Sequence, residues 1–432
     1  MPLPKPCSLL RFAVPALVAF SISLSPGLAA QSSVFTDIED RTQQIRQLDL
    51  LEPLDLTFIT RDEMRAEIAS DDYPLEEQQR DLRVLVAFGL VPPDTDLGAL
   101  YNDLYGEGVL GYYDPNTKRM VVVSDSGEGT TELSASEELT FAHETVHALQ
   151  DQHFDLVALQ NRAGAANADA SLALIALPEG DATYFESLYA TSDRDFLKRL
   201  LDEYQNMELP DVLESAPAIF IDTLYFPYDQ GGSFVSAIYE NGGWDAVDDL
   251  YANPPVSTEQ ILHPDKYVSG EMPIEVQVSD PSAALGDGWT VLDDDTFGEF
   301  QISILLDTSD DISDDEAADA AAGWSGDRYV VVGNENDTAI YWDTVWDSED
   351  DANEFAHTLI EREADRLGAS TTSLESGTGT AIVKDDETVH VVVDGMHVTY
   401  VSAPDEQTLN TVVAGATSPE GTPVATPVAI KD

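Results

Sequence analysis

Apolar and polar positions along this chain repeat with two periods, and the changes between them outline its elements. Asp37–Leu48 carries apolar residues at helical spacing, Leu54–Thr60 alternates as a strand does, and 61–70 and Leu75–Phe88 return to helical spacing. Short apolar runs at Val109–Tyr113 and Met120–Ser124 flank Asp114–Thr117, whose residues favour a tight turn, so a β-hairpin is expected there. Ser134 precedes Glu137 at the spacing of a capping box. A helix should follow, with Leu139, Phe141, Ala142, Val146 and Leu149 as its apolar positions. Further helices are expected at Pro178–Tyr189, Arg194–Glu208, Gly232–Glu240 and Trp244–Tyr251, the last stopped by Pro254 and Pro255.

The pattern changes around 280–295. From Phe300 onward it predicts a strand, then an acidic helix (Asp314–Ala322). Two strands (Arg328–Gly333 and Thr338–Trp346) and a helix (Asp350–Leu367) follow. Strands at Gly379–Val383, Val389–Val393 and His397–Ser402 and a short helix at Glu406–Val413 complete the series. The fold class expected is α+β: a mainly helical domain with a small sheet over 31–285, then a small α+β domain over 286–414. Residues 415–432, with Pro419, Pro423 and Pro427 among Thr, Ala and Val, should form an extended or disordered tail.

Length and composition agree with two domains: 432 residues, of which 43% are hydrophobic, can build more than one core. Residues 1–30 read as a secretory signal peptide. Lys5 and Arg11 form a positive start, Phe12–Phe20 is apolar but short for a membrane span, and small residues lead to Ala30. Only length and flanks separate this from an uncleaved anchor. A secreted protein with no stable membrane insertion after cleavage is expected. Cys7 is the single cysteine and lies ahead of the apolar run, where a lipid-bearing cysteine would not stand. Cleavage after Ala30 leaves none, which excludes disulfides, a cysteine nucleophile and cysteine-ligated zinc.

The charge is extreme: 20 Lys+Arg against 82 Asp+Glu, a net −62. Acids are spread along the chain, with runs such as Asp293–Asp295 and Asp310–Glu316. Such a surface repels nucleic acid and anionic membranes.

The chemistry lies in the helix after Ser134. His143, Glu144, Thr145, Val146 and His147 form an HExxH motif. On a helix the two histidines share one face one turn apart and can bind one zinc ion. Glu144 is then placed to take a proton from water activated by the metal. A catalytic zinc usually has a third protein ligand and an open position. His153 superficially completes HExxHxxGxxH, but the glycine that permits the sharp turn is replaced by Gln150. If the helix continues, His153 lies about 9 Å along the axis beyond His147 and on another face. Glu179, just after Pro178 at an expected helix start, is the preferred candidate; a first-turn acid complementing the helix dipole is the bland alternative. Asp151, one turn beyond His147, is either a residue that orients a ligand or part of a solvated face.

These residues resemble the gluzincin metallopeptidases, the thermolysin and aminopeptidase-like superfamily, in which HExxH is followed on a later helix by Glu-Gly-x-Ala. More narrowly, His143–Phe154 with Leu177–Ala182 is similar to a poorly characterised bacterial group of predicted zinc proteases. Gly111–Pro115, Tyr228–Gly232 and Pro255–Pro264 fit that group too, and Gly323–Asp327 and Trp346–Asp350 extend the likeness weakly. The resemblance implies a gluzincin-like domain with zinc on His143, His147 and Glu179, and Glu144 as general base. It also implies that the hairpin edge near Gly111–Ser124 binds substrate backbone by strand addition. The stretch between His147 and Glu179 is longer than in thermolysin-like enzymes, so Ala163–Ala170 is expected as a loop or insertion.

Peptide hydrolysis needs a donor for the developing oxyanion, and Tyr228 and His263 are the candidates; core packing and a turn role are their bland alternatives. The function expected is a secreted zinc-dependent peptidase acting on peptide or protein substrates. The competing readings are a non-catalytic extracellular binding protein on a degenerate peptidase fold, and a metzincin-like enzyme using His153. The acidity fits either a saline habitat or an ordinary acidic extracellular protein. If salt screens the repulsion among its carboxylates, the melting temperature should climb with added potassium chloride; a flat response in thermal melts would remove the saline reading.

Overall fold

A computed structural model describes residues 33–68, 73–106, 111–123, 133–206, 211–373 and 379–417. The expected signal peptide over 1–30 and most of the expected tail over 415–432 lie outside the described residues, though the last helix runs on through Ala416. The fold is mixed α and β. No described helix is long and apolar enough to cross a membrane.

The first half opens with α1 (Ser33–Arg46), β1 (Asp55–Ile59), α2 (Arg61–Ile68), α3 (Leu75–Ala87) and α4 (Leu97–Gly106). The expected hairpin is β2 (Gly111–Asp114) and β3 (Arg119–Val123), and β1 joins it in parallel on the far side of β3, giving the order β1-β3-β2. The helical body follows: α5 (Ala135–Phe154), α6 (Leu156–Ala163), α7 (Ala168–Ser192), α8 (Arg194–Tyr204), α9 (Asp211–Ser215), α10 (Ala218–Ala252), α11 (Thr258–Leu262), α12 (Pro264–Ser269) and α13 (Ser282–Leu285).

The second half comprises β4 (Thr290–Asp295), α14 (Gly298–Leu306), α15 (Asp314–Ala321), β5 (Trp324–Gly333), β6 (Thr338–Trp346), α16 (Glu349–Leu367), β7 (Thr371–Ser373), β8 (Gly379–Lys384), β9 (Glu387–Asp394), β10 (His397–Ala403) and α17 (Glu406–Ala416). Its strands form one antiparallel sheet in the order β4-β5-β6-β10-β9-β8-β7. Alternate residues serve opposite faces, as a pleated strand requires. Tyr329, Val331, Trp342 and Tyr400 pack toward α14, α15 and α16, whereas Val330, Val332, Tyr341 and Val401 pack against Leu409 and Val412 of α17.

The core under the sheet also draws on the first half. Val84 and Leu85 of α3, with Phe88, Leu90 and Val91, are buried in it. Phe88 sits edge-on to Phe297, Tyr329 and Trp342, at 4.8, 5.2 and 6.3 Å between ring centroids. Arg362 of α16 donates to the Phe88 carbonyl at 2.6 Å, and Arg83 donates to the Asp337 carbonyl at 2.8 Å.

Several elements differ from expectation. The run after Phe300 is α14, a helix rather than a strand. Phe300, Ile302 and Ile304 alternate with Gln301 and Ser303, which is the period of a strand. Asp327 decides the matter by accepting from Phe297 N and Gly298 N, both at 3.0 Å, at the start of the helix. Pro178 lies inside α7, not at a helix start, because α7 begins at the Asn167 cap and is held between α5 and α10. The expected loop at Ala163–Ala170 shrinks to a short link between α6 and α7. The helices expected at Gly232–Glu240 and Trp244–Tyr251 are parts of α10, divided at Gly243, whose φ of 67° and ψ of −161° are not helical.

Buried acids tie the start of α7 to β4 and to α11. Asp295 accepts from Ala168 N at 2.9 Å, and Asp169 accepts from Thr258 N at 2.8 Å and Thr258 Oγ1 at 2.5 Å. Burial pushes the Asp169 carboxyl from 3.8 up to about 8, against the pull of its Thr258 hydrogen bonds. The folded chain therefore keeps a proton that the unfolded chain releases near 3.8, and this group's share of stability falls as pH rises from 3.8 to about 8. Asp169→Asn retains an acceptor for Thr258 and removes the charge. Its melting temperature is expected to exceed that of the unaltered protein above pH 8 and to converge with it near pH 4, as thermal melts across that range would show.

Candidate metal centre

α5 begins as its sequence dictates. Glu137 N donates to Ser134 Oγ at 3.2 Å and Ser134 N donates to Glu137 Oε2 at 2.8 Å, completing the capping box. Glu203 of α8 accepts from Ala135 N and Ser136 N, each at 2.8 Å, so the open amides of the first turn are met. The helix then runs unbroken to Phe154 and stops at Asp155, which takes a left-handed conformation. His143 and His147 thus stand one turn apart with ring centroids 4.7 Å from each other.

Glu179 reaches both rings from α7. Its Oε2 lies 3.3 Å from His143 Nε2 and 3.3 Å from His147 Nε2. These three residues could hold one metal ion. The spacing fits: tetrahedral ligands at about 2.05 Å from an ion stand about 3.3 Å from one another. The outward nitrogens are tied as well. His143 Nδ1 pairs with Glu186 Oε1 at 3.0 Å, and His147 Nδ1 with Gln150 Oε1 at 2.9 Å.

The surroundings of His143, His147 and Glu179 favour a cation. Burial opposes charge on His143, yet Glu186 and Glu179 outweigh it and raise its pKa well above the ordinary value. Burial likewise opposes charge on His147, and Glu179 reverses the balance. Burial also works against Glu179, but the two rings hold its carboxyl far below the usual range. Glu144 goes the other way: burial raises its carboxyl, and the neighbouring rings only moderate that. Its Oε2 accepts from Tyr113 N of β2 at 2.8 Å, which leaves the other oxygen for a second partner.

Two glycines bring the walls of the site together. A Cβ on Gly180 would stand 2.2 Å from the Gly231 carbonyl carbon, and one on Gly231 would stand 2.4 Å from the Ala176 oxygen. α7 and α10 therefore touch backbone to backbone beside Glu179. Tyr228 belongs to the interior of α10, not to a segment before it, and its ring centroid is 6.3 Å from that of His143.

Other expected residues are placed elsewhere. His263 follows α11 and pairs through Nε2 with Glu299 of α14 at 2.7 Å, outside the cluster. His153 pairs with the Asp49 carbonyl at 2.8 Å because α5 never makes the turn that would bring it round. Asp151 does not orient a ligand; it accepts from Tyr113 Oη at 2.9 Å and Leu156 N at 3.2 Å. Glu186, Gln150 and Tyr113 were not foreseen. Helical spacing was the available signal, since Gln150 lies one turn past His147 and Glu186 two turns past Glu179. A second acidic group, Glu259, Glu271 and Asp347, closes around Lys266 Nζ at 2.5, 3.0 and 2.7 Å, so an ammonium already supplies its cation.

Residues 289–413 match a family described as a domain of unknown function, DUF8575; the match covers the seven-stranded sheet and ends inside α17, away from the HExxH helix. No curated protein and no solved structure matches the chain.

A methyl group at Gly180 has to push the α10 backbone aside. Gly180→Ala is expected to cost about 1–3 kcal/mol or more in denaturant unfolding. It should also displace Glu179 from His143 and His147, because Glu179 moves with the helix.

Proposed function

We propose that the protein is a secreted zinc-dependent peptidase of gluzincin type. The observation that carries this reading is the convergence of His143 Nε2, His147 Nε2 and one Glu179 oxygen, with Glu144 beside them. Two imidazoles and a carboxylate with a fourth position open are a donor set of catalytic zinc. A zinc ion bound there lowers the pKa of water and polarises a carbonyl group.

The chain's own residues do the rest. Glu144 takes the proton from the attacking water at the carboxylate oxygen that Tyr113 N–H does not hold. The same carboxyl then delivers a proton to the departing amine. The Tyr228 hydroxyl, on the ring that neighbours His143, donates to the oxygen of the carbonyl under attack. β2 is an outer strand of its sheet, which supports substrate entry as an added strand beside Glu144. His263, paired with Glu299, takes no part in this scheme.

Glu144→Gln is expected to keep the zinc content of the unaltered protein and to lose about 10²–10⁴-fold in peptide hydrolysis. His147→Ala should lose the metal itself, as elemental analysis would report. Unchanged turnover in Glu144→Gln would sink the assignment of the base. A zinc-loaded protein that cleaves nothing in a broad peptide library would leave a binding protein in place of an enzyme.

A further inference from the structure

We infer that Gln150 is a positioning residue that dictates which nitrogen of His147 faces the metal, and that α1 is part of the metal centre through Arg46. This rests on the zinc reading above. Arg46 is fully buried near the end of α1. Its Nε and Nη2 donate to Asp181 Oδ1 and Oδ2 at 2.8 and 3.0 Å, and the Trp244 ring lies 4.2 Å from its guanidinium carbon. A carboxylate clamped in this two-point manner offers acceptors only. Tyr251 Oη also donates to Asp181 Oδ2, at 2.7 Å.

The rest follows from donor and acceptor logic. Gln150 faces Asp181 Oδ2 and the Pro178 carbonyl, each 3.0 Å from its Nε2. Both are acceptors, so the amide must turn its NH2 toward them. Its oxygen is thereby forced toward His147 Nδ1, 2.9 Å away, and an amide oxygen can only accept. His147 therefore carries its proton on Nδ1 and presents a bare Nε2 on the side of Glu179 when a metal is bound. His143 needs no such chain, because Glu186 accepts from its Nδ1 directly. The two ligands are thus fixed in different ways: one by a carboxylate that is partly open to solvent, the other by a buried relay anchored on the first helix.

A swap of polarity tests the relay. Gln150→Met removes the acceptor and should weaken zinc binding about 10–100-fold in chelator competition. Gln150→Glu supplies a stronger acceptor for His147 but sets a carboxylate against Asp181 and the Pro178 carbonyl, so it should weaken zinc binding at least as much. Zinc held by Gln150→Met as tightly as by the unaltered chain would overturn the relay alone. An unaltered chain that binds no zinc would overturn the zinc reading and the relay together. Should the variants not fold, the unaltered protein loaded with cadmium-113 still decides. Ring nitrogen resonances should show metal coupling at His147 Nε2 with a proton on Nδ1, and coupling at Nδ1 would refute the relay.

Discussion

The contact of Gly180 with Gly231 is the constraint on which the cluster of His143, His147 and Glu179 depends. Without side chains between them, α7 and α10 approach until their backbones touch. That closeness sets the height of Glu179 on one helix and of Tyr228 on the other. α5 then lies on α7 so that its two histidines meet the same carboxylate oxygen. The two glycines fall within stretches that carry the peptidase resemblance, and their physical role is to let helices meet rather than to bind anything.

An acid-rich chain faces a second problem, which is how to bury carboxylates when cations are scarce. The structure answers in two ways. Where a cation can be spared it serves several acids at once: Lys266 bridges Glu259, Glu271 and Asp347, and Arg46 bridges Asp181 and Asp248. Elsewhere neutral N–H groups take over. Asp327 accepts from two backbone amides and from the indoles of Trp324 and Trp342, at 2.9 to 3.0 Å. This explains why Trp324 and Asp327 occur together in Gly323–Asp327. The cluster at Glu179 is a third case, in which His143 and His147 stand where lysine or arginine would otherwise be needed.

Much of this was legible in the sequence, for reasons that separate local from tertiary causes. The hairpin, α5 with its capping box, and most strands of the large sheet rest on turn chemistry and periodicity, which act over a few residues. The facing of His143 and His147 was legible because a helix fixes the relation of residues one turn apart. Glu179 stands on α7 and was picked out by its place after Pro178 and by the resemblance, neither of which fixes its contact with the rings. Pro178 misled because its local preference for a helix start yields to packing on both sides of α7. The run after Phe300 misled because Phe300, Ile302 and Ile304 alternate with Gln301 and Ser303, a strand period that the capped start at Phe297 and Gly298 overrides. Gln150 was noticed only as a missing glycine. Its hydrogen bonds involve Asp181 and Pro178, and no local pattern announces a partner on another helix.

Phe88 makes the two halves interdependent in a way that the family match does not suggest. Its ring fills the space bounded by Phe297, Tyr329 and Trp342, while its carbonyl receives Arg362. A polypeptide beginning at 289 would contain every strand of the large sheet and still lack the residue that completes its interior. On the ribosome, the segment around Phe88 emerges long before its aromatic partners exist. Until the last third of the chain has been made, that apolar face has no seat of its own and depends on the surrounding solution, or on other proteins, to keep it from aggregating.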